Sequence, residues 1–72
     1  MNTRLLKSFM VKNGDTGAQL SEALNIRRST LSSKMTGYRG AEFTQGEISI
    51  IKNRYKLSAR EVDEIFFAKK VS

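Results

Sequence analysis

Arg28, Ser29, Ser32 and Ser33 are spaced so that a helix would set them side by side on one face. A guanidinium offers five N–H donors in a planar fork, and each serine hydroxyl both donates and accepts. Such a face suits a flat array of hydrogen-bonding groups, and the base-pair edges in the DNA major groove are one. Arg28 can make a bidentate bond to a guanine edge, worth about 1–3 kcal/mol of discrimination. The serines select poorly between bases, which implies modest sequence selectivity with DNA shape contributing. Serine is also a weak helix former. A helix that only faced water would gain more from Glu, Lys or Ala, so the small polar side chains point to close approach by a partner. That partner is DNA, or else another protein.

Five further residues have the chemistry to hold phosphate oxygens: Thr16, Arg27, Lys34, Tyr38 and Arg39. Arg27 stands at the start of the same helix. Tyr38 and Arg39 lie in the loop GYRGAEF, directly after it. The plainer reading of that loop is a helix connection with one solvated arginine. Its two glycines make it flexible or sharply turned.

Other chemistry is poorly served. The 72 residues contain no histidine and no cysteine. That removes a disulfide framework, a Cys/His metal site and the common nucleophile–base pairs. Asp63 and Glu64 are adjacent and diverge on a helix, and Glu61 is committed to a helix cap. No glycine-rich phosphate loop follows a strand. The chain is not expected to be an enzyme, to need a cofactor or to take a small-molecule substrate.

Five helices position these residues, so the expected fold class is all-α. Thr3 to Lys12 places Leu5, Leu6, Phe9 and Met10 on one face, and Asn13-Gly14-Asp15 ends it. Three capping boxes mark later starts: Thr16 with Gln19, Thr44 with Glu47, and Ser58 with Glu61. The second helix carries Leu20, Ala23 and Leu24. It ends in a turn at Asn25-Ile26 that needs a left-handed residue, which Asn tolerates. The third, Arg28 to Thr36, buries Leu31 and Met35 and stops at Gly37. The fourth, Gln45 to about Arg54, turns Ile48, Ile51 and Tyr55 inward. The fifth, Ala59 to about Lys69, has Val62, Ile65 and Phe66 as its core stripe.

Residues 16 to 37, TGAQLSEALNIRRSTLSSKMTG, resemble the helix-turn-helix of the phage Cro/CI-type repressors and their bacterial relatives. Matching features are Thr16 at the helix start, Leu20 in the core, small Ser21 where the two helices approach, Ile26 in the turn, Thr30-Leu31-Ser32 in the second helix, and Gly37 after it. The likeness covers about residues 3 to 68 of the chain. Departures are Gly17 where relatives often have Gln, Asn25 where they have Gly, and Arg27 where they have a Ser or Thr cap. Gly17 lacks a side chain that often touches phosphate, although a helix N-terminus still attracts an anion. The resemblance implies a compact lambda-repressor-like domain spanning residues 1–72, with the helix-turn-helix at helices 2 and 3. It implies a transcription regulator that binds double-stranded operator DNA. The short chain leaves no room for a separate oligomerisation or cleavage domain. It is therefore most similar to the small Cro-like or modulator-of-repression proteins of temperate phages of Gram-positive bacteria. Some of those short proteins act as antirepressors by binding the repressor itself.

Charge agrees with a polyanionic partner. The net charge is +6, and residues 1–40 carry seven cations against two acids, whereas residues 41–72 carry six against five. The basic excess belongs to the half that holds the Ser/Arg helix, where it can neutralise phosphates and release counterions. No apolar run approaches the roughly 20 residues of a membrane span. The polar N-terminus does not read as a signal peptide. Action in the bacterial cytoplasm, at the nucleoid, is expected.

A second surface is expected near the end of the fifth helix. Ile65, Phe66 and Phe67 are consecutive and span about 200° of an α-helix. With Val62 and Phe66 on the core side, Phe67 turns partly outward with Val71 near it, and Ile50 lies off the Ile48–Ile51 stripe. The bundle either wraps both sides of this helix or leaves Ile50, Phe67 and Val71 as a protein interface. Such an interface would serve a homodimer, with recognition helices about 34 Å apart, or a complex with a phage repressor.

Overall fold

The computed structural model describes residues 1–67 and is all-helical over them, with five α-helices and no strand. The helices are α1 Thr3–Lys12, α2 Gly17–Ala23, α3 Arg28–Thr36, α4 Gln45–Tyr55 and α5 Ala59–Val62. No helix among the described residues is long and apolar enough to cross a membrane.

All three capping boxes form. Thr16, Thr44 and Ser58 each accept a backbone N–H at 3.1 Å from the residue three positions on, whose own side chain accepts the cap N–H in return. Each box satisfies two otherwise orphaned donors, which is why these short helices start where they do.

The helix ends follow a common rule as well. Asp15 N–H reaches the Met10 carbonyl, Ile26 N–H the Ser21 carbonyl and Leu57 N–H the Lys52 carbonyl, at 2.8, 3.0 and 2.9 Å. Each is the long bond of a Schellman motif, and each needs a left-handed residue just before it. Those residues are Gly14, Asn25 and Lys56, with φ of 64°, 56° and 53°. Lys56 is the costly one, because its Cβ crowds the following carbonyl.

The three stops turn the chain back on itself and gather one core. Leu6, Leu20 and Ile51, from α1, α2 and α4, and Ile65, from just after α5, are fully buried. Leu31, Met35, Ile48, Tyr55 and Val62 close around them. Leu5, Phe9 and Phe66 pack against this core but remain half-buried.

The fifth helix departs from expectation. It is α-helical only over Ala59–Val62 and continues as a π-helical turn over Asp63–Phe67. Of the three consecutive apolar residues only Ile65 is fully buried, and Phe67 stays exposed. Within this turn Ile65 is fully buried and Phe66 meets Phe43 edge-on, with ring centroids 5.5 Å apart. The Ile65 carbonyl is taken at 2.6 Å by Asn2 N–H, which ties the start of the chain to this turn. The expected extension to Lys69, and Val71 with it, lie outside the described residues.

Candidate nucleic-acid interface

Helix α3 has two unlike sides. Leu31 and Met35 are buried, four residues apart on the inner side. Arg28, Ser29 and Ser32 are exposed. Arg27 is the N-cap residue, with extended backbone, and its guanidinium, which can only donate, makes no capping bond. The helix is held at both ends. Its start follows the Schellman turn at Asn25, and its end is the left-handed cap Gly37, φ 73°. Buried Ser21 gives its hydroxyl to the Ala18 carbonyl at 2.9 Å within α2 and accepts the turn's Ile26 N–H on its own carbonyl. A larger residue at position 21 would push the turn, and α3 with it, away from the core.

Ser33 is less open than its neighbours. It is half-buried, and its hydroxyl donates to the Ser29 carbonyl at 3.0 Å. It retains acceptor capacity only, which narrows what it can read. Thr36, which sequence reasoning passed over, is exposed one turn beyond Ser32 and bonds back to the Ser32 carbonyl at 3.0 Å. Its spacing of four from Ser32 was the available signal.

The expected phosphate-holding residues divide into free and engaged groups. Arg27, Tyr38 and Arg39 are exposed. The Arg39 guanidinium lies 5.4 Å from the centroid of the Tyr38 ring, stacked as a cation over an aromatic face. The loop that carries them is sharply turned: Tyr38–Gly40 is a 3-10 turn, and Gly37, Arg39 and Gly40 all have positive φ.

Thr16 and Lys34 are engaged. Thr16 N–H donates to the Gln19 side chain at 2.9 Å, and its Oγ1 accepts from Gln19 N–H. The Thr16 backbone donor is therefore already used and does not serve an anion. Lys34 lies 2.6 Å from Oε1 of Glu47, with both side chains mostly buried. Burial pushes the Glu47 carboxyl up, but the Lys34 ammonium and the Thr44 N–H outweigh it and hold the carboxyl below its usual range. Lys34 thus braces α3 against α4, whereas its sequence position suggested a phosphate contact.

A second brace was invisible in the sequence. Asp15 accepts from Arg54 Nε and Nη2 at 2.8 and 2.7 Å and also from the Tyr55 hydroxyl. The Arg54 bonds lower the Asp15 pKa against a smaller opposing effect of burial. Burial, then the bond to Asp15, pushes the Tyr55 phenol well up. This cluster fastens the entry of α2 to the end of α4. The partners are 39 and 40 positions apart in the chain, and no local pattern pairs them.

A groove of about 160 Å³ opens beside the α3 face, between α1, the first residue of α2 and α3. Arg28 and Ser32 line one wall, Thr3 and Lys7 the other, above Leu31 and Met35. Of the candidate protein-interface residues, Ile50 and Phe67 are both substantially exposed, and Phe67 shares a shallow surface with Arg60, Asp63 and Glu64.

Compared with protein-family models, curated proteins and solved structures, the chain matches none.

Proposed function

We propose that this protein is a small helix-turn-helix regulator of the Cro-like, lambda-repressor-like kind. It binds double-stranded DNA with α3 as its recognition helix and regulates transcription in a phage genetic switch. The observation that carries this reading is α3 itself. Its inner side is locked into the core by Leu31 and Met35, while Arg28, Ser29 and Ser32 stand exposed beside Arg27. The rigid mounting matters because base readout needs side chains held in register with the groove. Arg28, Ser29 and Ser32 read bases, with Ser33 as an acceptor. Arg27, Tyr38 and Arg39 hold the backbone on either side. The basic excess of residues 1–40 supplies the nonspecific attraction.

A gel shift over a salt series tests this, using the protein's candidate operator and a scrambled duplex. Binding to both, tighter to the operator and weakening steeply with salt, is the expected result. No shift on either duplex at low salt would sink the reading.

A second reading rests on Ile50 and Phe67. These are two of the five large hydrophobic side chains left exposed among the described residues, and such groups suit a protein contact. In this reading the chain acts as an antirepressor, forming a complex with a larger phage repressor. Light scattering of the chain alone and with that repressor separates the two. A homodimer that shifts DNA is an operator binder. A monomer that forms a stable complex with the repressor is a modulator, and Phe67→Ala should weaken that complex.

A further inference from the structure

We propose that the groove between α1 and α3 seats one sugar-phosphate unit of the DNA backbone, with Lys7 as a phosphate ligand. This rests on the DNA-binding reading of α3. The groove shares Arg28 and Ser32 with the face assigned to base readout, so whatever lies along that face lies across its mouth. Two cations, Lys7 and Arg28, stand on opposite walls, and neither is in an ion pair among the described residues. The floor is apolar, from Leu31 and Met35. A sugar-phosphate has the matching division: an apolar sugar edge and a charged head with acceptor oxygens. The volume of about 160 Å³ is roughly five times the share of one liquid water.

Gly17 lies at the edge of this groove. It is the first residue of α2, and a Cβ built there meets nothing within 4 Å. Any longer side chain at 17 would project into free space at the groove's edge. Its backbone φ is not in the left-handed region, so the glycine is not required by the turn. Alanine would be the better helix former.

Lys7→Gln and Gly17→Leu test the proposal in the full chain. Binding is measured on specific and scrambled duplexes from low to moderate salt, and folding by circular dichroism and thermal melting. Lys7→Gln should lower affinity on both duplexes alike and reduce the magnitude of the log–log salt slope by about 0.9, the value for one lost phosphate. Gly17→Leu, which puts a branched apolar side chain at the groove's edge without changing charge, should lower affinity on both duplexes at least tenfold with an unchanged or raised melting temperature. Wild-type affinity and slope in both variants, while Arg39→Ala still weakens binding, would overturn the groove and leave the DNA reading standing. A wild-type chain that binds neither duplex would overturn both.

Discussion

The ammonium of Lys34 and the carboxylate of Glu47 meet at 2.6 Å, and the same Glu47 oxygen accepts the Thr44 N–H at 2.8 Å. One carboxylate therefore caps the start of α4 and anchors the last turn of α3. Helix α3 is thereby joined to α4 by a charge pair largely shielded from water. Lys34→Ala should lower stability by about 1 kcal/mol, seen as a reduced urea midpoint. Nonspecific DNA affinity and salt slope should stay nearly unchanged. A slope reduced by about 0.9 would instead show Lys34 on a phosphate. Glu47→Ala should cost more than Lys34→Ala, because it also removes the reciprocal half of the α4 capping box and a favourable negative charge in the first turn, together about 0.3–1 kcal/mol.

Arg28 and Arg39 are expected to fail differently. Arg28→Ala should weaken operator binding by about 1–3 kcal/mol while leaving scrambled duplex less affected. Arg39→Ala should weaken both equally and flatten the salt slope by about 0.9. A competition titration of the two duplexes measures the ratio. Equal loss on both for Arg28→Ala would remove its base-reading role.

The carboxylates set an acid limit on stability. Asp15 is held below its ordinary pKa by Arg54, and Glu47 by Lys34 and Thr44 against its burial. A depressed native pKa stabilises the fold at any pH above the unfolded value, near 4. That stability is lost as pH falls through the lower native values. Urea midpoints should therefore be flat from neutral down to about pH 5 and fall below about pH 4. Asp15→Asn should lower the midpoint at neutral pH and make the acid fall shallower. An unchanged acid limb in Asp15→Asn would show that Asp15 contributes nothing to it.

Lys56 holds a left-handed conformation at φ 53° to complete the cap of α4. The conformation costs a non-glycine residue about 1–2 kcal/mol, and glycine gives part of that back as unfolded-state entropy. Lys56→Gly should raise stability by roughly 0.5–1 kcal/mol, measured as a higher urea midpoint. Lys56→Val should lower it, since a β-branched side chain is least tolerated there.

The local signals in the chain were strong. Thr16/Gln19, Thr44/Glu47 and Ser58/Glu61 named three helix starts, and each forms its reciprocal bonds. Asn25 and Gly37 marked left-handed stops that bound α3, and both have positive φ. These features are legible because they are settled by atoms within six residues of one another. Lys56 escaped the same reasoning, because lysine carries no left-handed preference of its own. The neighbouring Leu57 is buried, and its burial demands the turn.

Sequence alone determined that the chain is helical, where four of its five helices lie, and which residues α3 turns inward. Hydrophobic period and capping chemistry are properties of short segments, and a segment carries them wherever it packs. Tertiary structure decided the rest. It gave Lys34 to Glu47 and Asp15 to Arg54 and Tyr55, and turned the Ser33 hydroxyl back onto its helix. It made Asp63–Phe67 a π-turn, with Ile65 buried and Phe67 exposed. It also opened the groove beside Gly17. Each of these outcomes depends on which distant groups share a low-dielectric space, and only the packing of the whole core specifies that.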